Sequence, residues 1–302
     1  MENRRYDFVR VRAYGKINLG LDVVGKREDG YHDVRMIMQQ VGLYDGIDIR
    51  RLGLSADGKR HIEIETNLRY LPVNENNLAY KAAALLMDEF DIQESIHIKI
   101  KKLIPVAAGM AGGSADAAAV MKGLNRMFGL KLSKKELMRR GVKLGADVPY
   151  CIMGGTALAE GIGEILTPLP SMPSCHIILA KPAINVSTKA VYTALQVDNI
   201  KHHPDIDGLI KAIKKENLYD MAAKMGNVLA DVTEPMHPVI GEIRQRMMEL
   251  GAVNAMMSGS GPTVFGLFDE KGKAEHAYQV LKPDERCKQV YITDGGLKDE
   301  RY

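Results

Sequence analysis

Residues 105–125, PVAAGMAGGSADAAAVMKGLN, place glycines and alanines immediately before an amphipathic helical pattern. Apolar residues recur at helical spacing from Ala117 to Leu124, which predicts a helix packed on a sheet between about Ser114 and Phe128. Glycine lets backbone amides approach a ligand closely, and a helix N-terminus adds unpaired amides and the positive end of its dipole. Phosphate binding is therefore one interpretation of this stretch. The other is a glycine-rich turn that lets the helix pack closely on the sheet, with Ser114 as its cap.

The length and composition set the general class of the protein. A chain of 302 residues exceeds the usual size of a single hydrophobic core, which predicts two domains. Hydrophobic residues make up 46% of the chain and charged residues 26%, as in a soluble globular protein rather than a disordered, fibrous or membrane-embedded one. No apolar run approaches the length of a membrane helix, and the first residues do not resemble a signal peptide, so we expect a cytoplasmic location.

Charge and metal-ligand patterns indicate neither nucleic-acid binding nor a zinc site. The net charge is +3, and a basic cluster at 131–143 contains SKKE (133–136), a capping box that predicts a helix over 133–144 with a solvated basic face. No His, Cys, Asp or Glu cluster has ligand spacing, and the neighbouring His202 and His203 are expected at the surface. The cysteines lack CxxC spacing and are expected to be buried free thiols: Cys151, Cys175 and Cys287.

Hydrophobic periodicity predicts strands and helices in both halves of the chain. Apolar residues alternate in three early segments, which predicts strands over 10–25, 61–66 and 95–104. A helix over 76–90, capped by Asn76 or Asn77, lies between the second and third of these strands. After the helix over 133–144, TALAEGIGEIL (156–166) is again typical of a strand.

Three prolines interrupt both periodicities between residues 167 and 175, and we place the domain boundary there, giving domains 1–168 and 169–302. Beyond this segment the patterns predict a strand at 175–182, several helices, a helix over 237–251, two strands around a glycine-rich loop, a helix over 274–281 and a last strand at 288–295. The fold class is therefore α+β, with two-layer sandwiches favoured over a doubly wound parallel sheet.

Two other glycine-containing stretches resemble nucleotide-binding motifs without matching them. GLSADGK (53–59) has the spacing of a Walker A loop, but Arg60 stands where a Ser or Thr must bind magnesium. We interpret Asp57-Gly58 as a hairpin turn between two strands. GMAGGSA (109–115) does not fit the G-x-G-x-x-G fingerprint of dinucleotide-binding folds.

Two further stretches have both a structural and a functional interpretation. MSGSGPTVFG (257–266) is a second glycine-rich loop, which we place between a helix and a strand, and it is either a tight turn or part of a site. GADVPY (145–150) places Asp147 on a loop after the glycine that ends a helix. A loop carboxylate commonly caps or solvates its turn, so Asp147 alone does not identify a site.

Together with AYGKINLGLDVVGKREDGYHDV (13–34), these three stretches form an ordered set of motifs that resembles the GHMP kinases over nearly the whole chain. The closest resemblance is to the members that act on a sugar alcohol carrying cytidine diphosphate. It implies a two-domain α+β architecture: an N-terminal ribosomal-S5-like α/β sandwich that binds ATP and a C-terminal ferredoxin-like α/β sandwich, with the substrate cleft between them. No membrane, nucleic acid or obligate protein partner is implied.

The resemblance also implies the residues of the nucleotide site. The glycine-rich stretch would wrap the triphosphate of ATP, with magnesium as the counterion of the phosphates and no confident protein ligand apart from a candidate contact at Ser114. The phosphate-binding residues implied in this way are Pro105, Gly109, Gly112, Gly113, Ser114 and Ala115.

Asp147 matches the catalytic aspartate of such kinases and Lys16 its partner lysine, whereas without the resemblance Lys16 would be interpreted as an exposed strand lysine. A carboxylate can accept the proton of an attacking hydroxyl, and an ammonium can stabilise the carboxylate and the developing alkoxide. Asn18 lies two residues further along the same strand and should face the same way as Lys16, so both could reach one substrate.

The substrate residues implied by the resemblance are Asn18, Tyr31, His32, Thr188 and Tyr192. Tyr31 would stack on the cytosine ring, His32 would make polar contacts with its edge, and Tyr192 would cover its other side. Without the resemblance, a buried tyrosine and a hydrogen-bonded core histidine are the simpler interpretation. The implied reaction is phosphorylation by ATP of the 2-hydroxyl of 4-diphosphocytidyl-2-C-methyl-D-erythritol, in the non-mevalonate isoprenoid route.

The chain departs from the family pattern at several positions of the loop. Alanine stands where glycine is frequent at 107, 108 and 111, and Ala115 replaces a frequent serine. Because alanine is strained at positive φ, we expect ordinary backbone angles at the first three positions. Two alternatives remain open: another GHMP kinase, of the homoserine or mevalonate type, which would have no use for a cytosine site, and a non-catalytic ligand-binding relative.

Overall fold

A computed structural model describes residues 6–295, which form two compact units that interleave along the chain. Unit 1 comprises the described residues up to Gly15 together with Tyr44–Ile104 and Ala111–Met153. Unit 2 comprises Lys16–Leu43, Pro105–Met110 and the described residues from Gly154 onward. The first two strands therefore contribute to both units. The linear boundary after residue 168 stays a prediction.

Unit 1 contains two whole strands, parts of two others, and four helices. Its strands are the first part of β1 (Phe8–Lys26), the second part of β2 (His32–Gly53), β3 (Ile62–Thr66) and β4 (Ser95–Lys101). Its helices are α1 (Leu78–Glu89), α2 (Gly112–Met127), α3 (Lys134–Gly141) and α4 (Asp147–Met153). The predicted caps are confirmed: Asn77 caps α1, and Ser133 and Glu136 form the capping box of α3.

The strand order in unit 1 is β3-β4-β2-β1. β4 lies antiparallel to β2, and β3 lies parallel to β4, with α1 as the crossover that parallel neighbours require. The turn at Asp57-Gly58 exists, with Gly58 at φ +69°, but the hairpin interpretation is wrong because β4 separates the two strands that this turn connects. Apolar residues of β1 alternate inward at Val9, Val11 and Ala13. Helix α2 packs close to the sheet at Gly123, where an added Cβ would lie 2.5 Å from Ile49 Cδ1.

Unit 2 contains the remaining elements. Its strands, besides parts of β1 and β2, are β5 (Thr156–Glu160), β6 (Ile165–Leu169), β7 (His176–Lys181), β8 (Gly226–Asn227), β9 (Asn254–Met257), β10 (Val264–Phe268) and β11 (Gln289–Asp294). Its helices are α5 (Thr188–Ala194), a 3₁₀ turn (Val197–Asn199), α6 (Ile206–Lys214), α7 (Leu218–Ala223), α8 (Ala230–Met236), α9 (Val239–Glu249) and α10 (Lys271–Leu281).

The strands of unit 2 pair in two groups. β2 pairs antiparallel with β5, β5 with β6, and β8 lies parallel to β1. A separate antiparallel sheet has the order β11-β7-β10-β9, which confirms the predicted succession of a strand, helices, two strands, a helix and a strand. β1 is continuously buried from Gly15 to Val23, as expected of a strand covered on both faces.

Two sequence interpretations in this unit are wrong in detail. TALAEGIGEIL forms two strands of a hairpin instead of one, because Gly161 and Gly163 adopt positive φ angles and reverse the chain. β6 then continues through Pro168, so strand structure extends into the segment predicted as a linker. Of the cysteines, Cys175 and Cys287 are buried free thiols, as expected, but Cys151 is partly exposed. No helix within residues 6–295 is long and apolar enough to cross a membrane.

Candidate active site

The glycine-rich stretch contains a loop with three residues in the left-handed region. Gly109 has φ +71°, Ala107 has φ +50° and Ala111 has φ +56°. The expectation of ordinary angles is therefore wrong at positions 107 and 111, while Ala108 is not among the positive-φ residues. A left-handed alanine costs about 1–2 kcal/mol, and such strain persists only where the surroundings impose it.

Helix α2 begins two residues earlier than predicted, at Gly112, with Ala111 as its N-cap. Ser114 is thus the third residue of the helix, and the interpretation of Ser114 as the cap is wrong. The first helical hydrogen bond runs from the amide of Ala115 to the carbonyl of Ala111 at 2.9 Å. The amides before it, on Gly112, Gly113 and Ser114, have no acceptor within a helix, and they lie at the positive end of the dipole. The three amides are therefore suited to bind phosphate oxygens, whereas the amide of Ala115 already donates to the carbonyl of Ala111.

Close packing also accounts for one of these glycines. An added Cβ on Gly112 would lie 3.1 Å from Ile104 Cγ2 and 3.2 Å from Lys102 Nζ, so the first residue of α2 must be small. The packing interpretation and the phosphate interpretation of the stretch are therefore compatible.

In unit 2 the two glycine-rich loops meet at Gly109. The carbonyl oxygen of Gly109 accepts hydrogen bonds from Lys16 Nζ at 3.1 Å and from Ser258 Oγ at 3.0 Å. A Cβ on Gly109 would lie 2.1 Å from the carbonyl oxygen of Ser258, so no other residue fits without a backbone shift. The second loop connects β9 to β10 in an antiparallel hairpin, which agrees with the predicted order of two strands around it, whereas its placement between a helix and a strand is wrong.

Lys16 lies on β1 and is 5% exposed, so it is not an exposed strand lysine. Its ammonium group donates to Asn18 Oδ1 at 2.8 Å, which confirms that the two side chains share a face of the strand. Asn18 is fully buried, and its amide group lies 3.2 Å from Met36 Sδ. The acceptors of this amine group are thus one amide oxygen and one carbonyl oxygen, and no carboxylate is among these contacts.

Asp147 is the first residue of α4 in unit 1, and its placement on a loop is therefore wrong. It is partly exposed, and its carboxylate has no hydrogen-bond or ion-pair partner within the described part of its unit. Tyr150, one turn further along α4, is fully buried, and burial raises the pKa of its hydroxyl well above the usual value, with smaller contributions from Cys151 and Asp147. The carboxylate of Asp147 therefore makes no contact that fixes it among the described residues of its own unit.

The aromatic residues predicted to bind a base are partly brought together in unit 2. The rings of His32 and Tyr192 are 5.2 Å apart between centroids and inclined by 42°. His32 is 8% exposed, and its Nε2 has no hydrogen-bond partner among the described residues. Burial, and secondly the charge of Lys26, lower the pKa of His32, so its ring is neutral at pH 7. Tyr31, in contrast, is 60% exposed.

Thr188 is the first residue of α5, which Ser187 caps through the amide of Ala190. The hydroxyl groups of Thr188 and Ser260 are hydrogen-bonded at 2.8 Å, so the second glycine-rich loop contacts both Gly109 and the helix that carries Tyr192. Neither Ser258 nor Ser260 was among the site residues predicted from the sequence. The motif SGSGP is evident in the sequence, but Ser258 bonds to Gly109 and Ser260 to Thr188, and both partners are distant in the sequence.

The prediction for the two neighbouring histidines holds only in part. His202 and His203 are exposed as expected, but His203 Nδ1 lies 2.7 Å from a carboxylate oxygen of the buried Asp22. Over the described residues, no group of three or more His, Cys, Asp or Glu side chains is arranged to hold a metal ion.

Comparison with known families gives matches in both halves of the chain. A sequence model of the GHMP kinases N terminal domain matches residues 77–155, and a model of the GHMP kinases C terminal domain matches residues 209–284. The first match includes the glycine-rich stretch and Asp147.

Individual relatives extend these matches to nearly the full length. A 4-diphosphocytidyl-2-C-methyl-D-erythritol kinase of Lachnospira eligens is 55% identical over 286 residues, which are 95% of this chain and 98% of that protein. A kinase of the same name from Lachnoclostridium phytofermentans is 52% identical over 95% of this chain and 97% of that protein. Among solved structures, a 4-(cytidine 5'-diphospho)-2C-methyl-D-erythritol kinase has a TM-score of 0.82 and 28% identity, covering 96% of this chain and 100% of that one. The homoserine kinase of Cytophaga hutchinsonii, at 19% identity and TM-score 0.77 over 97% of this chain and 96% of that one, shares the fold.

Proposed function

Because this chain belongs to the 4-diphosphocytidyl-2-C-methyl-D-erythritol kinase family of GHMP kinases, we propose that it transfers the γ-phosphoryl group of ATP to the 2-hydroxyl of 4-diphosphocytidyl-2-C-methyl-D-erythritol. An oxygen–phosphorus bond forms at the acceptor as the β–γ bridging bond breaks, giving the 2-phosphate and ADP. The observation that carries the proposal is the 55% identity over 95% of the chain. The mevalonate and homoserine kinases share the fold at 17% and 19% identity. Identity at this level shows the fold alone, so it does not support mevalonate or homoserine as the acceptor of this chain.

The first turn of α2 is the part of the chain that we propose binds the triphosphate. Gly112, Gly113 and Ser114 supply amides without helical acceptors, and Gly109 precedes them in a left-handed conformation. Backbone amides neutralise phosphate charge without a Walker-type lysine. Magnesium bound to the phosphates would supply charge neutralisation during transfer. We propose that Ser114 is its contact with the protein, because this hydroxyl-bearing residue lies in the first turn of α2, and that phosphates and water provide the other ligands.

Asp147 and Lys16 are the residues that we propose act on the acceptor hydroxyl. Asp147 would accept the hydroxyl proton as the oxygen attacks phosphorus, a role that its carboxylate, free of partners in its unit, can perform. Lys16 would stabilise the negative charge on the carboxylate and on the attacking oxygen, since its ammonium group is buried among neutral acceptors. The acceptor is a tertiary alcohol and only weakly acidic, so alignment and charge stabilisation must supply most of the rate enhancement.

His32 and Tyr192 are the residues for which the geometry favours a cytosine ligand. A buried imidazole nitrogen without a hydrogen-bond partner is costly, and a base edge with alternating donors and acceptors would satisfy it. Tyr192 lies against the same histidine ring and could cover a planar base. The exposed Tyr31 would stack on the base from the turn between β1 and β2, and Asn18 and Thr188 would contact the rest of the acceptor.

Replacing His32 with phenylalanine should raise the KM for the cytidyl acceptor about tenfold, because the ring packing stays while one hydrogen bond is lost. The KM for ATP should change less than about twofold. In the wild type the acceptor KM should be constant from about pH 7 to 9 and rise below about pH 6, where the neutral ring, whose pKa is lowered, finally takes up a proton. Steady-state kinetics across pH tests this, with the exposed His276→Phe as control. An unchanged acceptor KM in His32→Phe would contradict the role of His32.

Transfer of label from γ-labelled ATP tests the reaction itself. With magnesium present, label should enter 4-diphosphocytidyl-2-C-methyl-D-erythritol at a rate at least about 100-fold above that for the alcohol without cytidine. The alcohol has no base, so it cannot make the contacts proposed for two aromatic side chains or the one proposed hydrogen bond. No transfer to either compound, in a protein that binds ATP, would overturn the substrate assignment. Equal transfer to both would remove the cytosine site from the proposal.

A further inference from the structure

Unit 1 contains a buried charge cluster that the proposed reaction does not use. Lys102 Nζ donates to Asp45 Oδ2 at 2.5 Å and to Asp116 Oδ2 at 2.7 Å. The three side chains are almost fully buried, with side-chain exposures of 4%, 0% and 6%, respectively. Asp116 Oδ1 has no hydrogen-bond partner among the described residues. Burial, opposed by the charge of Lys102, raises the pKa of Asp116 to about 8, so the cluster holds an ion pair and a third, weakly acidic carboxyl group. Such groups are costly to bury, and this cluster therefore needs an explanation beyond general stability.

One side of the cluster holds the chain where it enters the glycine-rich loop. Asp45 Oδ1 accepts hydrogen bonds from the amides of Leu103 at 2.5 Å and Ile104 at 2.9 Å. The side chain of Asn67 binds both backbone groups of Lys102, accepting from its amide at 2.7 Å and donating to its carbonyl at 3.2 Å. The three residues just before Pro105 are therefore held by side chains from two other segments.

The other side of the cluster holds the chain where the loop ends. Asp116 lies in the second turn of α2, four residues after Gly112, and Lys102 reaches it from the end of β4. The ammonium group lies next to the start of the helix, 3.2 Å from the position that a Cβ added to Gly112 would occupy. Lys102 thus joins the residues before the loop to the helix that follows it.

This connection matters because the loop itself is strained. Ala107 and Ala111 are left-handed alanines, and such conformations persist only where the rest of the structure imposes them. Unit 1 contains the residue before the loop, Ile104, and the residue after it, Ala111, while residues 105–110 belong to unit 2. The position of Ile104 therefore sets where the loop begins, and the position of Ala111 sets the direction of the first amides of α2.

We propose that Asp116, through Lys102 and Asp45, is a positioning residue that fixes the two ends of the glycine-rich loop and so presets it for the triphosphate of ATP. The inference rests on the proposed function, because it concerns the nucleotide of that reaction. Asp116 does not touch the nucleotide in this account. It acts by holding the amides of the first turn of α2 in the orientation that phosphate oxygens require.

Two substitutions at one position test the proposal. Asp116→Ala removes the connection to α2 but leaves Lys102 paired with Asp45, so the buried charges remain balanced. We expect its dissociation constant for magnesium ATP to rise about tenfold or more, with the acceptor KM changed less than about twofold. Asp116→Asn keeps an oxygen that accepts from Lys102, so ATP affinity should stay within about threefold of the wild type. Isothermal titration calorimetry of the full chain measures these constants.

The matched control is Asp88→Ala, an exposed aspartate on α1 that pairs with Arg60 on the surface of the same unit. It should leave ATP affinity unchanged, and thermal unfolding of all variants shows whether each one folds. If Asp116→Ala unfolds at a lower temperature but binds ATP as tightly as the wild type, Asp116 is merely structural and the proposal fails. If Asp116→Asn loses affinity as strongly as Asp116→Ala, the hydrogen bond is not the cause. A wild type that binds no ATP would instead overturn the proposed function.

Discussion

Replacing Asp147 with asparagine is expected to lower kcat about 1,000-fold or more, with the dissociation constant for ATP and the acceptor KM each changed less than about threefold. Asparagine has nearly the same volume and keeps one oxygen, but it cannot accept the proton of the acceptor hydroxyl. Asp147 is partly exposed and has no ion pair in its unit, so its replacement breaks no ion pair there. The loss should therefore appear in the chemical step and spare both stability and ground-state binding.

Single-turnover transfer from γ-labelled ATP, combined with calorimetry of ATP binding, separates the chemical step from binding. A suitable control is Asp231→Asn, because Asp231 is an exposed aspartate in the first turn of α8, which has seven residues like α4. This control should keep wild-type kcat. A kcat for Asp147→Asn within about tenfold of the wild type would show that the carboxylate is not the proton acceptor.

Local patterns in the sequence predicted most elements because the forces that form them act over a few residues. The capping box at Ser133 and Glu136 involves neighbouring groups, and the shared face of Lys16 and Asn18 follows from the period of a strand. Sequence could not predict the neighbour of β3. Alternation in 62–66 indicates a strand, but the same pattern fits a hairpin with β2 and the observed parallel pairing with β4 equally well.

The parts of the site that were missed depend on contacts between distant segments. Alanine rarely adopts positive φ by itself, so the left-handed angles at Ala107 and Ala111 could not be inferred from residue type. The hydrogen bond from Ser258 to Gly109 joins residues 149 positions apart. In the sequence Asp116 looks like an ordinary helix residue, and only the structure shows that Lys102 contacts it. The roles of the site residues were implied by resemblance to a family, and they remain predictions that the proposed variants test.

Replacing Gly109 with alanine is expected to reduce kcat/KM for both substrates by about 100-fold or more and to lower the thermal unfolding temperature. The left-handed conformation at φ +71° costs alanine about 1–2 kcal/mol. The larger effect is steric, because the new Cβ would lie 2.1 Å from the carbonyl oxygen of Ser258, and backbone must move to relieve the clash. Forced shifts of this kind typically cost about 1–3 kcal/mol.

The shift should reach the chemistry because the carbonyl of Gly109 accepts from Lys16 as well as from Ser258. If that carbonyl moves, the ammonium group loses one of its two acceptors and its fixed position. Gly155→Ala is the matched control: Gly155 has nearly the same angle, φ +73°, but an added Cβ meets nothing within 4 Å, so this variant carries the conformational cost without the clash. Kinetics and thermal unfolding of the two variants should differ strongly. Equal losses in both would mean that backbone strain alone limits the loop, whereas a Gly109→Ala enzyme with wild-type kinetics would show that the meeting of the two loops does not position Lys16.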